Sequence, residues 1–151
     1  MSRKPSGGGI LTALVKPRKT TFKHIEAEWY NYHHTLQEIA RLREEIINPF
    51  REVDENIGGG KSNITGDPTG RIATRLATSK QIQHLEEVVN AIEKVYNALP
   101  NDYKNLVRVR YWSNKKMSWD EIADEIHVHR TTAMRWRNEI IQATIELLGW
   151  R

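Results

Sequence analysis

The chain has 151 residues, of which 38% are hydrophobic and 28% are charged. These proportions predict one domain of ordinary size or two small ones. No apolar run approaches the ~18 residues that cross a bilayer, and the apolar stretch 10–15 is too short for the core of a signal peptide. The absence of cysteine excludes disulfides and thiolate zinc sites, so we expect a cytoplasmic protein without a membrane segment.

Positive charge is concentrated at the N-terminus, although the net charge is only +4. Segment 1–19 is rich in serine and glycine, and we predict that it is disordered. Basic arms of this kind often follow the backbone or minor groove of DNA, but a solubilising segment would look the same. No acid precedes Glu26 in the sequence, whereas five basic residues stand in this tail: Arg3, Lys4, Lys16, Arg18 and Lys19.

Two long helices are predicted from apolar spacings that alternate between three and four, the pattern of a coiled-coil seam. The first extends from Phe22 to Ile46 and ends before Asn48-Pro49, and the second extends from Ser79 to Leu99. Two matched seams predict a helical hairpin, which could pack within one chain or across a homodimer. The first seam comprises Phe22, Ile25, Trp29, Tyr32, Leu36 and Ile39, and the second comprises Ile82, Leu85, Val89, Ile92, Tyr96 and Leu99.

Residues 51–78 have little periodicity, and we predict a glycine-rich loop with at most a short helix from Thr69. Gly60-Lys61-Ser62 resembles the end of a phosphate-binding loop, but Glu55 stands where that pattern needs a glycine. The histidine pairs 33–34 and 127/129 lack a third and fourth metal ligand. No serine, histidine and acid are spaced as a catalytic set, so we predict no enzyme, no metal and no cofactor.

Residues Ser118 to Asn138 predict two short helices joined by a tight turn, which is the pattern of a helix-turn-helix DNA reader. Ser118 and Glu121 form a capping box at the start of the first helix. The turn lacks the glycine that many such turns contain. We therefore expect His127 to adopt a left-handed backbone, which is uncommon for a residue with a side chain.

The second helix is predicted over 129–148, with a buried side formed by Ala133, Trp136, Ile140, Thr144 and Leu147. Its opposite side would enter the major groove. Arginine can pair with guanine, asparagine with adenine, and threonine or methionine methyl groups can touch the thymine methyl. The predicted base-reading residues are Arg130, Thr131, Met134, Arg135 and Asn138.

Phosphate contacts are predicted beside this groove-facing side and in the basic loop 113–116 that precedes Ser118. Arg137 could alternatively cover the core with its aliphatic stem. An ordinary helical hairpin with a solvated basic face, and a polar surface loop at 113–116, are the structural alternatives to DNA binding. The predicted phosphate ligands are Lys115, Lys116, Ser118, His129, Thr132 and Arg137.

Several segments resemble the RinA-like family of phage and prophage late transcriptional activators. They are the glycine-rich segment 55–63, Asp67-Pro68-Thr69-Gly70, residues 73–76, the Arg-Glu-Glu-Ile of 43–46, and the closing residues 135–141. A helix near Phe22 with its Glu-Trp-Tyr agrees with the family as well. The C-terminal part is also similar to the sigma-factor domain that reads the −35 promoter element. The resemblance implies an activator of late genes in the bacterial cytoplasm, associated with the nucleoid.

We therefore expect an all-α protein with a basic tail (1–19), a helical hairpin (20–99) and a sigma-like helix-turn-helix domain (100–151). Its expected partners are double-stranded promoter DNA and RNA polymerase. Lys61, Ser62 and Asn63 are candidate contacts to DNA or polymerase, because glycines let backbone amides approach an anion; a flexible connector would look the same. Two other functions stay open: a small-terminase-like packaging subunit, and a sigma-like module that binds polymerase and not DNA.

Overall fold

The computed structural model describes residues 16–48 and 68–151, and every regular element in these two ranges is an α-helix. The predicted all-α class is thereby confirmed. Residues 1–15 of the basic tail and 49–67 of the glycine-rich loop lie outside the described residues. The helices are α1 (Lys19–Tyr30), α2 (Tyr32–Ile47), α3 (Pro68–Ala98), α4 (Asn101–Arg110), α5 (Trp119–Ile126) and α6 (Arg130–Leu148).

The helices belong to two compact units. Of the described residues, unit A contains 16–27 together with Leu99–Arg151, and unit B contains 28–48 and 68–98. The second boundary lies next to the division at residue 100 that the sequence suggested. Residues 20–27, which the sequence assigned to the hairpin, are grouped instead with the C-terminal helices.

Unit B is an antiparallel pair of helices in which α2 packs against α3. The Tyr32 hydroxyl, at the start of α2, donates to Glu93 Oε1 late in α3 at 2.6 Å. Further along α2, Arg43 pairs with Glu86, which lies earlier in α3. Between these contacts a buried apolar cluster joins the two helices, formed by Ile39, Leu42, Ile82 and Val89.

The single helix predicted over Phe22–Ile46 is wrong, because α1 and α2 are separated at Asn31. Asn31 has φ −91° and ψ 3°, outside the α-helical region, and asparagine is a weak helix former because its side chain competes for backbone hydrogen bonds. Trp29 before the break and Ile39 after it are buried, as the seam predicts. Between them Thr35 is buried, whereas Leu36, expected in the seam, is 39% exposed.

The short helix considered from Thr69 exists, but it is the first part of α3, which begins at Pro68 and continues without a break past Ser79, so a separate second helix starting at Ser79 is wrong. Proline is favoured in the first turn of a helix because its missing amide hydrogen would have no partner there. Alanine, arginine and leucine, which have high helix propensity, continue the helix through residues 71–77. This first part of α3 is exposed, with Ile72 at 59% and Leu76 at 66%.

Unit A is built on α4, α5 and α6, which pack against one another. α4 follows Pro100, whose carbonyl accepts from the Lys104 amide at 3.0 Å. Each large aliphatic side chain that is fully buried contributes roughly 1.5–3 kcal/mol relative to an exposed one. The buried side chains of these helices include Leu106, Val107, Ile122, Ala123, Ala133, Ile140, Ile141 and Ile145.

Candidate nucleic-acid interface

The turn between α5 and α6 is defined by hydrogen bonds at both ends of α5. At the start, the Ser118 hydroxyl accepts from the Glu121 amide and donates to the Glu121 carboxylate, both at 3.2 Å. At the end, the Val128 amide donates to the Ala123 carbonyl at 3.0 Å and the His127 amide to the Asp124 carbonyl at 3.3 Å. This pair of bonds is a Schellman motif.

His127 has φ 60° and ψ 45°, so the left-handed backbone expected at this position is confirmed. A side chain in this conformation costs roughly 1–2 kcal/mol. The two hydrogen bonds of the Schellman motif compensate for this strain, because they satisfy carbonyls at the end of α5 and direct the chain into α6. The N-cap of α6 is His129, whose side chain makes no capping hydrogen bond.

The side of α6 that packs into unit A agrees in large part with the prediction. Ala133, Ile140 and Thr144 are buried, and Trp136 is half-buried and stacks on Tyr103 with ring centroids 4.6 Å apart. Leu147 was expected on this side, but it is 50% exposed. The buried arc is centred near Ile140, Ile141 and Thr144, so Leu147 lies at its edge, in the last turn of the helix.

The opposite side of α6 presents the five predicted base-reading residues within its first three turns. Arg130, Thr131, Arg135 and Asn138 are exposed, and Met134 is half-buried. Their spacing places them on one side of the helix. The structure therefore brings together a surface with two guanidinium groups, one amide and two methyl-bearing side chains, which are the groups that can recognise base edges.

Arg135 is held only weakly by the protein itself. Its Nε lies 4.0 Å from Glu139 Oε1, with side-chain exposures of 67% and 49%. Exposed pairs of this kind contribute only about 0–1 kcal/mol, so Arg135 can exchange this partner for another. Glu139 in turn accepts a hydrogen bond from the Tyr103 hydroxyl on α4. Burial and then this carboxylate raise the pKa of Tyr103 to about 12.

The predicted phosphate ligands fall into two groups. Lys115, Lys116, Ser118 and His129 are exposed, and Thr132 is half-buried. Lys115 and Lys116 lie in the segment between α4 and α5, immediately before the capping serine. They remain candidates for contacts with a nucleic-acid backbone. The predicted loop residues Lys61, Ser62 and Asn63 lie outside the described residues.

Arg137 is placed differently from the other predicted phosphate ligands. Its side chain is 16% exposed, and its Nη1 lies 3.0 Å from Oε2 of Glu26. The Arg137 guanidinium also lies 5.3 Å from the Phe22 ring centroid and 5.0 Å from that of Trp119. The Arg137 charge is paired with Glu26 inside unit A, which neither predicted role describes. A contact between Arg137 and phosphate stays a prediction.

Glu26 is the centre of an ion cluster that joins α1, α4 and α6 and that we call the Glu26 cluster. Besides Arg137, its Oε2 accepts from Arg110 Nη2 at 3.2 Å and from the Tyr111 hydroxyl at 2.7 Å. Trp119 of α5 lies against the Arg110 guanidinium, with Cζ 4.1 Å from the ring centroid. The cluster comprises Glu26, Arg110, Tyr111, Trp119 and Arg137.

The Glu26 carboxyl is charged in this environment. Burial on its own raises its pKa, but the Tyr111 hydrogen bond and the two guanidinium groups outweigh burial, so the pKa is lowered from 4.5. The same burial, together with the charge of Glu26, raises the pKa of Tyr111 well above 10. The Glu26 cluster therefore contains two positive charges and one negative charge.

Sequence reasoning missed the Glu26 cluster. Glu26 stands between Ile25 and Trp29 of the predicted seam, where an acid is expected to be solvated. Its partner Arg137 is 111 residues away in the chain, so no local spacing could pair them. The available signal was the position of Arg137 at the edge of the buried stripe of α6.

In the part of the chain that the structure describes, no group of three or more histidine, cysteine, aspartate or glutamate residues could hold a metal ion. No helix within residues 16–48 and 68–151 is long and apolar enough to span a membrane.

Two comparisons of this chain with known proteins found a match. Residues 25–146 match the family described as "Protein of unknown function (DUF722)". The chain is 26% identical over 130 residues to "Transcriptional activator rinA" of Staphylococcus phage phi11, a match that covers 86% of this chain and 91% of that relative. No solved structure matches the chain. The resemblance to the RinA-like family is thereby confirmed.

Proposed function

This chain belongs to the DUF722 family of proteins of unknown function, and we propose that it is a sequence-specific, DNA-binding transcription activator of phage or prophage late genes. In this proposal α5 and α6 are a helix-turn-helix, and α6 lies in the major groove of promoter DNA. The protein would act in the cytoplasm of the bacterial host, with RNA polymerase as a further partner.

One observation carries the proposal. The side of α6 turned away from the other described helices of unit A presents Arg130, Thr131, Arg135 and Asn138 in exposed positions, and Arg135 has a long, exposed contact with Glu139. An ordinary packed hairpin does not need this set of side chains on one helical surface. The relative of phage phi11, named as a transcriptional activator, supports the same conclusion.

Base reading by Arg130 and Arg135 is tested by selecting bound fragments from a random DNA pool with the full chain. On the selected site, Arg130→Ala and Arg135→Ala should each weaken binding by ~1–3 kcal/mol and relax specificity at one base pair. Arg75→Ala is the matched control, because it removes an exposed arginine on α3, in unit B. Equal losses on selected and random DNA for Arg130→Ala would argue against base reading.

Two alternative functions predict other results. A small-terminase-like packaging subunit would form a closed ring of many subunits, whereas an activator would be a monomer or a dimer. A sigma-like module that binds polymerase alone would retard no DNA fragment even at low salt, where attraction to phosphate is strongest. If the protein is a homodimer, we propose that the two copies meet through the exposed Ile72 and Leu76 of α3. A mass measurement in solution distinguishes these states.

A further inference from the structure

Asn138 on the exposed side of α6 is connected to Glu26 on α1 through a single guanidinium. Arg137 Nε donates to Asn138 Oδ1 at 2.8 Å. Arg137 Nη1 donates to Glu26 Oε2 at 3.0 Å and to Oε1 at 3.2 Å. Because a guanidinium is planar and rigid, the position of its Nε is determined once Glu26 holds its Nη1.

Arg137 is constrained on several sides. The side chains of Arg137 and Glu26 are only 16% and 15% exposed, so water screens their attraction less than at the surface. The aromatic rings of Phe22 and Trp119 lie 5.3 Å and 5.0 Å from its Cζ. An exposed arginine could give up its bond to Asn138 readily, whereas this one is held in place by unit A.

The constraint has a chemical consequence for Asn138. An asparagine amide can exchange its oxygen and nitrogen by rotation about its last torsion, which has a broad, two-fold preference. Arg137 Nε can only donate, so it selects the orientation that turns Oδ1 towards it. One lone pair of Oδ1 and the hydrogens of Nδ2 then remain, and an acceptor beside a donor matches N6 and N7 of adenine.

We propose that Glu26 is a positioning residue for base reading, which acts through Arg137 to fix the side-chain amide of Asn138 in the orientation that suits adenine. The inference rests on the proposed function, in which Asn138 faces a base. It assigns to α1, outside the helix-turn-helix, a part in setting sequence preference.

The experiment uses the full chain and its selected DNA site. Asn138→Ala first identifies the base pair whose preference depends on this residue, where the loss should be roughly 5- to 150-fold. Binding to all four versions of that base pair is then measured for Arg137→Lys, which keeps the charge facing Glu26 but lacks Nε. We expect the preference for adenine to fall by at least about threefold, which is a part of the roughly 5- to 150-fold discrimination that one bidentate side-chain–base pair can supply.

Glu26→Gln should flatten the same preference, and the double variant Glu26→Gln/Asn138→Ala should lose no more preference than Asn138→Ala alone. Arg110→Lys is the matched control, because Arg110 contacts the same carboxylate at 3.2 Å and is 13% exposed, while Asn138 is bonded by Arg137. It should keep the adenine preference. Circular dichroism establishes that each variant is folded, and Arg137→Lys carries the test if Glu26→Gln is not.

The outcomes separate this inference from the proposed function. Equal losses on all four bases for Arg137→Lys would overturn the positioning role, because a merely structural change lowers binding to every sequence alike. If the wild-type protein selects a DNA site but Asn138→Ala has the same base preference as the wild type, the positioning role is overturned, while the proposed activator function is not. A wild-type protein that selects no sequence would overturn both.

Discussion

Oε2 of Glu26 on α1 lies 3.0 Å from Nη1 of Arg137 on α6, although the two residues are 111 positions apart in the chain. This contact ties the proposed recognition helix to a helix that precedes it by most of the sequence. Both residues belong to unit A, which includes the part of α1 up to Ala27.

Replacing Glu26 by glutamine should destabilise unit A. The change leaves Arg110 and Arg137 close together without a carboxylate. Removing one partner of a fully buried ion pair costs about 3–5 kcal/mol, and we expect a smaller loss here because the side chains of Arg137 and Glu26 are 16% and 15% exposed. Chemical denaturation at neutral pH, followed by tryptophan fluorescence, measures the difference. A midpoint equal to that of the wild type would show that the Glu26 cluster contributes nothing to stability.

The same cluster should make unit A sensitive to acid. The pKa of Glu26 is lowered in the folded protein, so below its ordinary pKa of 4.5 the unfolded chain takes up a proton first. The stabilising contribution is therefore present above about pH 4.5 and is lost as the pH falls through the folded pKa. The difference in unfolding free energy between wild type and Glu26→Gln should therefore become smaller as the pH is lowered from about 6 to about 3, the range in which such a carboxyl takes up its proton. A constant difference across that range would contradict the cause that we assign.

Replacing His127 by glycine should stabilise the protein by about 0.5–1 kcal/mol, because glycine adopts a left-handed backbone without the clash of a Cβ atom but loses more entropy on folding. Thermal unfolding gives the change. Asn114, with φ 57°, is a matched control, since asparagine tolerates this conformation better. Asn114→Gly should therefore have a smaller effect, and a destabilised His127→Gly would refute the strain.

Tyr103 should ionise late in an alkaline titration, with a pKa of about 12. Burial is the larger cause and Glu139 the next, so Glu139→Gln should lower this pKa towards 10 without reaching it. Because the folded protein favours the neutral Tyr103 hydroxyl, this group stabilises the folded state below about pH 10, and the stabilisation is lost as the pH rises through the pKa of Tyr103 in the folded protein. Ultraviolet absorbance of tyrosinate measures it, with Tyr103→Phe for assignment. Tyr32, which also has a pKa of about 12 beside Glu93, should not respond to Glu139→Gln.

If the segment between α4 and α5 contacts phosphate, the variants Lys115→Ala and Lys116→Ala should weaken binding to all DNA sequences alike. Each should reduce the slope of log K against log salt by about 0.9, the value for one phosphate contact on B-form DNA. Titrations at several salt concentrations give the slope. Lys80→Ala removes an exposed lysine of α3 and should leave it unchanged. A loss confined to one DNA sequence would instead assign base reading to these lysines.

Features encoded by neighbouring residues were predicted well. The capping serine, the left-handed His127 and the exposed side of α6 each depend on residues within about one or two helical turns, where propensity and periodicity act. At residues 68–78 the same local signals predicted at most a short helix from Thr69, because glycine and threonine favour a loop, whereas the first-turn proline and the alanines that follow permit the continuous helix α3.

Tertiary structure decided what periodicity could not express. Apolar spacing placed Leu36 in the buried seam of the first long helix, but the polar Thr35 is buried there and Leu36 is 39% exposed. The bonds of Glu26 to Arg110, Tyr111 and Arg137 cross 84, 85 and 111 positions of the chain. Sequence by itself determined the all-helical class and which side of α6 faces outward, because local patterns specify single helices. Only the tertiary structure decided that Arg137 is held inside unit A, because its ion-pair partner lies on another helix that packs beside α6 and is distant in the sequence.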